Sequence, residues 1–200
     1  MRLTGLSFLV IGLLFISLTA CPGVPNSDYT SEDIDAEDTD IPDLSPEGTP
    51  EPDAFYVYRD SGYSWNHFVP SGFMGDDNAV ALDEAWSDDV FEGTSCQRWT
   101  YNTDQGSEGW AGVIFQHPEN NWNGDEPDSG YDLSEKRFLV FSVRGENGGE
   151  VVTFGFGGLE GDYPDSCPQQ QKTVTLTTDW QTYSVVIEDL DLRTIHNGFM

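Results

Sequence analysis

Phe138-Leu-Val-Phe-Ser-Val-Arg144, followed by Gly145-Glu-Asn-Gly-Gly-Glu150 and then Val151-Val-Thr-Phe-Gly-Phe156, decides the fold class of this 200-residue chain. In the first run Leu139, Phe141 and Val143 alternate with Phe138, Val140, Ser142 and Arg144. One face is wholly apolar and the other partly so, as a strand inside a sheet requires. The glycines of the connection can take positive φ, so the two runs are expected to pair as a hairpin. Working outward, short runs rich in β-branched and aromatic residues recur between Gly, Asp, Asn and Pro: Phe55–Tyr58, Gln97–Asn102, Trp110–Gln116, Lys172–Leu176 and Trp180–Ile187. No stretch keeps a helical period beyond about two turns. The expectation for residues 54–200 is an all-β domain, a jelly-roll β-sandwich with little helix.

The segments before residue 54 read differently. Met1-Arg2 and the apolar run Leu6–Leu18 have the form of a signal peptide over residues 1–20, too short to span a bilayer comfortably as a helix. Leu18-Thr-Ala-Cys21 resembles a bacterial lipobox, which implies cleavage before Cys21 and acylation of its thiol. An ordinary secretory signal is the alternative. The resemblance makes the chain an exported lipoprotein of the bacterial envelope, held to a lipid bilayer through acylated Cys21. Residues 22–53 contain eleven Asp or Glu and six Pro, with no Lys or Arg. Such a composition builds no core, so residues 21–53 are expected to be a disordered acidic tether, roughly 30 Å in root-mean-square span before charge repulsion extends it. The glycine and terminal glutamate spacing of an EF-hand loop is absent from it.

The whole sequence carries a formal net charge of −28, and residues 54–200 keep 25 acidic side chains against seven basic ones. A field of that sign repels phosphate backbones, which argues against nucleic acid as a partner. Export favours oxidation, so Cys96 and Cys167 are expected to form a disulfide, with two free buried thiols as the alternative and a zinc site a poorer one. Catalysis finds no footing: no Gly-x-Ser-x-Gly, His-Glu-x-x-His or Gly-Lys-Ser/Thr motif is present, and among so many carboxylates no pair stands out.

Three segments carry a resemblance: Phe68-Val-Pro-Ser-Gly-Phe-Met-Gly-Asp76, Gly109-Trp-Ala-Gly-Val-Ile-Phe-Gln-His-Pro-Glu-Asn-Asn-Trp122, and Tyr131-Asp-Leu-Ser with the run Phe138–Glu150. Together they resemble bacterial extracellular jelly-roll domains of the galactose-binding-like type, related to carbohydrate-binding modules. That likeness implies a surface-anchored, non-catalytic module whose partner is a polysaccharide or cell-surface glycan. It also implies further closing strands, so a chain ending at Asn197-Gly-Phe-Met200 is expected to be incomplete at its C-terminus. A structural or adhesive envelope lipoprotein without a sugar ligand, and the non-catalytic head of a longer glycoside-active enzyme, are the alternatives.

Sugar rings stack their C–H faces on flat aromatics and hydrogen-bond amides at their rims. His117-Pro-Glu-Asn-Asn-Trp122-Asn123 offers an indole among amides, and Tyr63-Ser-Trp65-Asn-His67 a similar setting. Trp122, Asn121, His117 and Trp65 are therefore the leading ligand candidates, with Trp110 and Tyr163 behind them. Packing at a sandwich rim explains Trp122 and Trp65 equally well. Trp86 suits a lid over the core, and Trp99 and Trp180 suit strand packing. The resemblance further implies a structural calcium, for which Asp60, Asp76, Asp77, Asp83 and Glu84 supply hard oxygen ligands, although composition alone also produces such clusters.

Overall fold

The computed structural model describes the backbone of residues 6–16 and the whole of residues 54–200. Cys21, with its expected acylation, and the acidic tether lie outside the described residues, as do the remaining parts of the leader.

The described chain is all-β. Eleven strands run in the order β1 (Leu6–Ile16), β2 (Ala54–Tyr58), β3 (Val69–Gly75), β4 (Val80–Trp86), β5 (Cys96–Tyr101), β6 (Ala111–Gln116), β7 (Phe138–Gly145), β8 (Val151–Phe156), β9 (Gln170–Thr175), β10 (Gln181–Val186) and β11 (Asn197–Phe199), with one 3-10 turn at Asp77–Ala79. One sheet has the order β10-β7-β1-β5-β4, with β2 also paired to β1. A second has the order β11-β6-β3, and β8 and β9 form an antiparallel ribbon. Reciprocal backbone bonds between Gly155 and Met200, 2.9 Å each way, set this ribbon beside β11 and extend the second layer.

The core lies between the layers. From the first come Val57, Trp99, Leu139, Phe141 and Val143; from the second, Phe115, Phe154, Phe156, Val174 and Phe199. Ring contacts cross the gap: Phe141 meets Phe154 at 4.6 Å and Phe199 at 5.3 Å, and Trp99 meets Phe115 at 6.2 Å. Each fully buried large side chain contributes about 1.5–3 kcal/mol, so this aromatic seam is the main adhesive between layers. The two faces of β7 are as its alternation predicts. Leu139, Phe141 and Val143 enter the core, Val140 joins a small outer cluster with Tyr56, and the Ser142 hydroxyl bonds that of Thr182 at 2.8 Å.

The expected hairpin does not form. β7 pairs with β1 and β10, whereas β8 pairs with β9. Gly148 and Gly149 do take positive φ, at 73° and 89°, but they steer the chain from one layer to the other. Their loop is tied to residues 176–177 instead: Gly145 N–H bonds the Thr177 carbonyl and Gly149 N–H that of Leu176, each at 2.8 Å. Separate layers bury the apolar faces of both strands, which a single exposed hairpin could not do.

Two strands of residues 54–200, β3 and β4, escaped the sequence pattern. In β3, Pro70, Ser71 and Gly72 erase the alternation; proline is tolerated because β3 is an edge strand. β4 carries Asp83 and Glu84 in an exposed edge, where charge discourages pairing with another sheet. β11 has only three residues. The apolar run expected to be part of a signal peptide also appears as a strand, β1.

The expected disulfide is absent: Cys96 and Cys167 are both free and buried. Cys96 packs with Trp86, Val90 and Trp180, while Cys167 belongs to the main core. Burial pushes the Cys96 thiol up to about 12 and the Cys167 thiol to about 11, so both stay protonated and inert at neutral pH.

Candidate functional site

A cavity of about 460 Å³ opens where β5, β6, β8 and β9 converge. Trp99, Phe115, Phe154 and Phe199 line its buried part; Trp110, Thr153, Gln169 and Gln171 are exposed around it, and Tyr101 is half-buried. None of its lining residues is an Asp, Glu, His, Cys, Lys or Arg. Its lining is thus uncharged, aromatic within and polar at the rim.

Trp110 is half exposed, at 50%, and its position is fixed from below. Gly75 has φ +65°, and a Cβ there would stand 2.5 Å from the Trp110 carbonyl oxygen and 2.9 Å from the indole ring. Only glycine allows that approach without strain. The neighbouring Asp76 N–H bonds the same carbonyl at 2.9 Å. Its carboxylate then gathers the loop before Trp110: Ser107 and Glu108 N–H donate to Oδ1 at 2.6 and 2.8 Å, while Gly109 N–H and the Tyr101 hydroxyl donate to Oδ2 at 2.8 and 2.7 Å. The Glu108 amide, with the Tyr101 hydroxyl and the Ser107 and Gly109 amides, holds the Asp76 carboxyl well below the usual carboxylate range despite its burial.

The exposed rim offers amides and hydroxyls. Gln171 Nε2 donates to Gln169 Oε1 at 3.0 Å, and the Thr153 and Thr173 hydroxyls bond each other at 2.8 Å. Exposed side-chain amides in such pairs retain donors and acceptors for a ligand hydroxyl.

The other candidates lie outside this groove. Trp122 and Trp65 are 40% and 52% exposed, and Tyr163 is 44% exposed. The Trp122 and Tyr163 loops are neighbours, since Tyr163 N–H bonds the Gly124 carbonyl at 2.6 Å. Asn121 is a correction: its side chain is only 2% exposed and faces inward, with Nδ2 3.3 Å from His196 Nδ1, while its carbonyl accepts from Gln116 Nε2 at 3.0 Å. It supports the loop that carries Trp122 and has no open face for a ligand. His117 is half-buried, its ring 4.3 Å from Tyr131, and its N–H bonds the His196 carbonyl at 2.8 Å. Burial, with His196 and His67 nearby, lowers its pKa.

Nor do the acidic residues fit a calcium ion as a set. Both Asp76 oxygens are engaged as above, and Asp60 Oδ1 accepts from the amides and hydroxyls of Thr94 and Ser95 at 2.7–3.1 Å. Asp77 accepts from the Asn78 amide in its own turn, Asp83 from the Ala85 amide within β4, and Glu84 is exposed on β4. Among the described residues no three His, Cys, Asp or Glu side chains gather where they could hold a metal.

Sequence reasoning ranked Trp110 low and missed Tyr101, Thr153, Gln169 and Gln171. The alternation in Gln169-Gln-Gln-Lys-Thr-Val174 carried a signal, because it puts Gln169 and Gln171 on one face. The sequence model of the family described as carbohydrate binding domain 30 matches residues 55–195. No curated protein and no solved structure matches the chain.

Proposed function

The chain belongs to the carbohydrate binding domain 30 family, and on that premise we propose that it binds a neutral glycan in the groove walled by Trp110. The observation that carries this reading is a half-exposed indole, locked by Gly75 and Asp76, beside an uncharged cleft with glutamine and threonine at its rim. A pyranose ring would lie on Trp110, and its hydroxyls would meet Gln169, Gln171 and Thr153. The two layers are read as a jelly-roll sandwich with this groove at one end of its core. Its role is capture of polysaccharide and not its cleavage.

Affinity electrophoresis through a panel of neutral polysaccharides tests the reading. Wild type is expected to be retarded by at least one of them, Trp110→Ala to lose the retardation, and a Trp122→Ala/Trp65→Ala double variant to keep it. Retardation lost only in the double variant would move the site to the outer loops. A wild type retarded by none of the polysaccharides would leave an envelope protein without a sugar ligand.

The lipobox-like Leu18–Cys21 supports a second part of the proposal, that acylated Cys21 anchors the module to a lipid bilayer of the bacterial cell envelope. Labelled palmitate should enter the wild type and be excluded from Cys21→Ser.

A further inference from the structure

β1 occupies a slot one strand wide. On one side Phe8–Ile16 pairs with Gly145–Phe138 of β7; on the other, Leu6–Val10 pairs with Tyr101–Gln97 of β5 and Leu13–Ile16 with Tyr58–Ala54 of β2. Both β5 and β7 are antiparallel to β1, so they run in the same direction as each other. Without β1 their facing backbone edges would stand about 10 Å apart, two interstrand spacings. They could not zip together as an antiparallel ladder, and Trp99, Leu139, Phe141 and Val143 hold them in place through the core. The inner face of the flanking strands is apolar along its length, with Val57, Trp99, Leu139, Phe141 and Val143 in the core, whereas the outer face is apolar beside β2, at Tyr56 and Val140, and carries Arg98 and Arg144 on either side of Leu9. An apolar segment suits the inner face throughout and the outer face beside β2, and Leu-Ser-Phe-Leu-Val-Ile-Gly-Leu-Leu-Phe-Ile is such a segment.

We propose that the slot between β5 and β7 is a strand-acceptor site for an extended apolar segment, and that Leu6–Ile16 is its occupant in the unprocessed chain. Main-chain bonds to two edges supply affinity, and the apolar inner face supplies selectivity. Cleavage before Cys21 would carry this strand away and leave a sheet with two unsatisfied edges, so leader removal and completion of the fold are coupled.

The test uses the full chain with Cys21→Ser and one protease site placed within residues 30–45. After nicking, the N-terminal fragment is expected to co-elute with the body in gel filtration and to separate only in denaturant. Val10, opposite Gln97 on one side and Val143 on the other, is the position to disrupt, because proline is excluded from central strands. Nicked Val10→Pro is expected to release its fragment at unchanged hydrophobic content. Should that variant not fold, a competitor decides on nicked wild type: an added peptide of residues 6–16 bearing a lysine tail displaces the labelled fragment, and its Val10→Pro form does not. Free separation of the wild-type fragment under native conditions, or equal competition by both peptides, overturns the proposal.

Discussion

At Gly75 and Asp76 two adjacent residues set the position of an indole neither is bonded to through its side chain. Gly75→Ala would press a methyl against the Trp110 carbonyl and ring at a backbone φ that alanine resists. The expected outcome is a fall in glycan affinity of about tenfold, roughly 1.4 kcal/mol, with an unchanged far-ultraviolet spectrum. Titration calorimetry giving wild-type affinity would refute the positioning role. Asp76→Asn removes a charged acceptor from three amides and a hydroxyl, so exchange protection at Ser107–Gly109 should drop before the rest of the domain is affected. Because the folded Asp76 pKa lies below its unfolded value near 3.8, its stabilising effect is complete above that pH and is lost as pH falls through the lower folded value. His117 acts in the same direction at milder pH. Its folded pKa is lowered from 6.5, so the unfolded state binds the extra proton, and stability declines as pH drops below about 6.5. Melting temperature should therefore fall between pH 7.5 and 5.5, and His117→Gln should reduce that fall; an unchanged slope in the variant would count against it.

Among the elements, β7 sends Leu139, Phe141 and Val143 into the core. Phe141 is fully buried and meets Phe154, Tyr183 and Phe199, so Phe141→Ala should cost about 3–5 kcal/mol in denaturant unfolding. A loss under 1 kcal/mol would mean the layers are held elsewhere. The interior of this strand was legible in the sequence because its alternation reports burial directly. Its partners were not, since Gly145–Glu150 permits a hairpin and a layer crossing alike, and the choice is made by Thr177 and Leu176, which lie far along the chain. The same limit applies to the site. Trp122 and Trp65 stand among polar neighbours in sequence, which is what made them the leading candidates there. Trp110 has glycines and alanine beside it, and its rim partners come from β8, β9 and the loop before β9, a convergence that only the folded layers create.

At the scale of the whole molecule, charge and covalent connectivity set the remaining behaviour. With −28 overall and an uncharged groove, binding to a neutral glycan should vary little between low and moderate salt, whereas a polyuronate should be excluded at low salt. Strong retardation by the polyuronate at low salt would contradict the neutral-ligand assignment. The unlinked Cys96 and Cys167 lead to something practical. A sandwich whose layers are joined by packing alone makes no demand on the redox state of its surroundings. With Cys21→Ser, its folding yield in a reducing bacterial cytosol should equal that in a cytosol made oxidising, and dithiothreitol should leave a purified sample unmoved on a calorimeter.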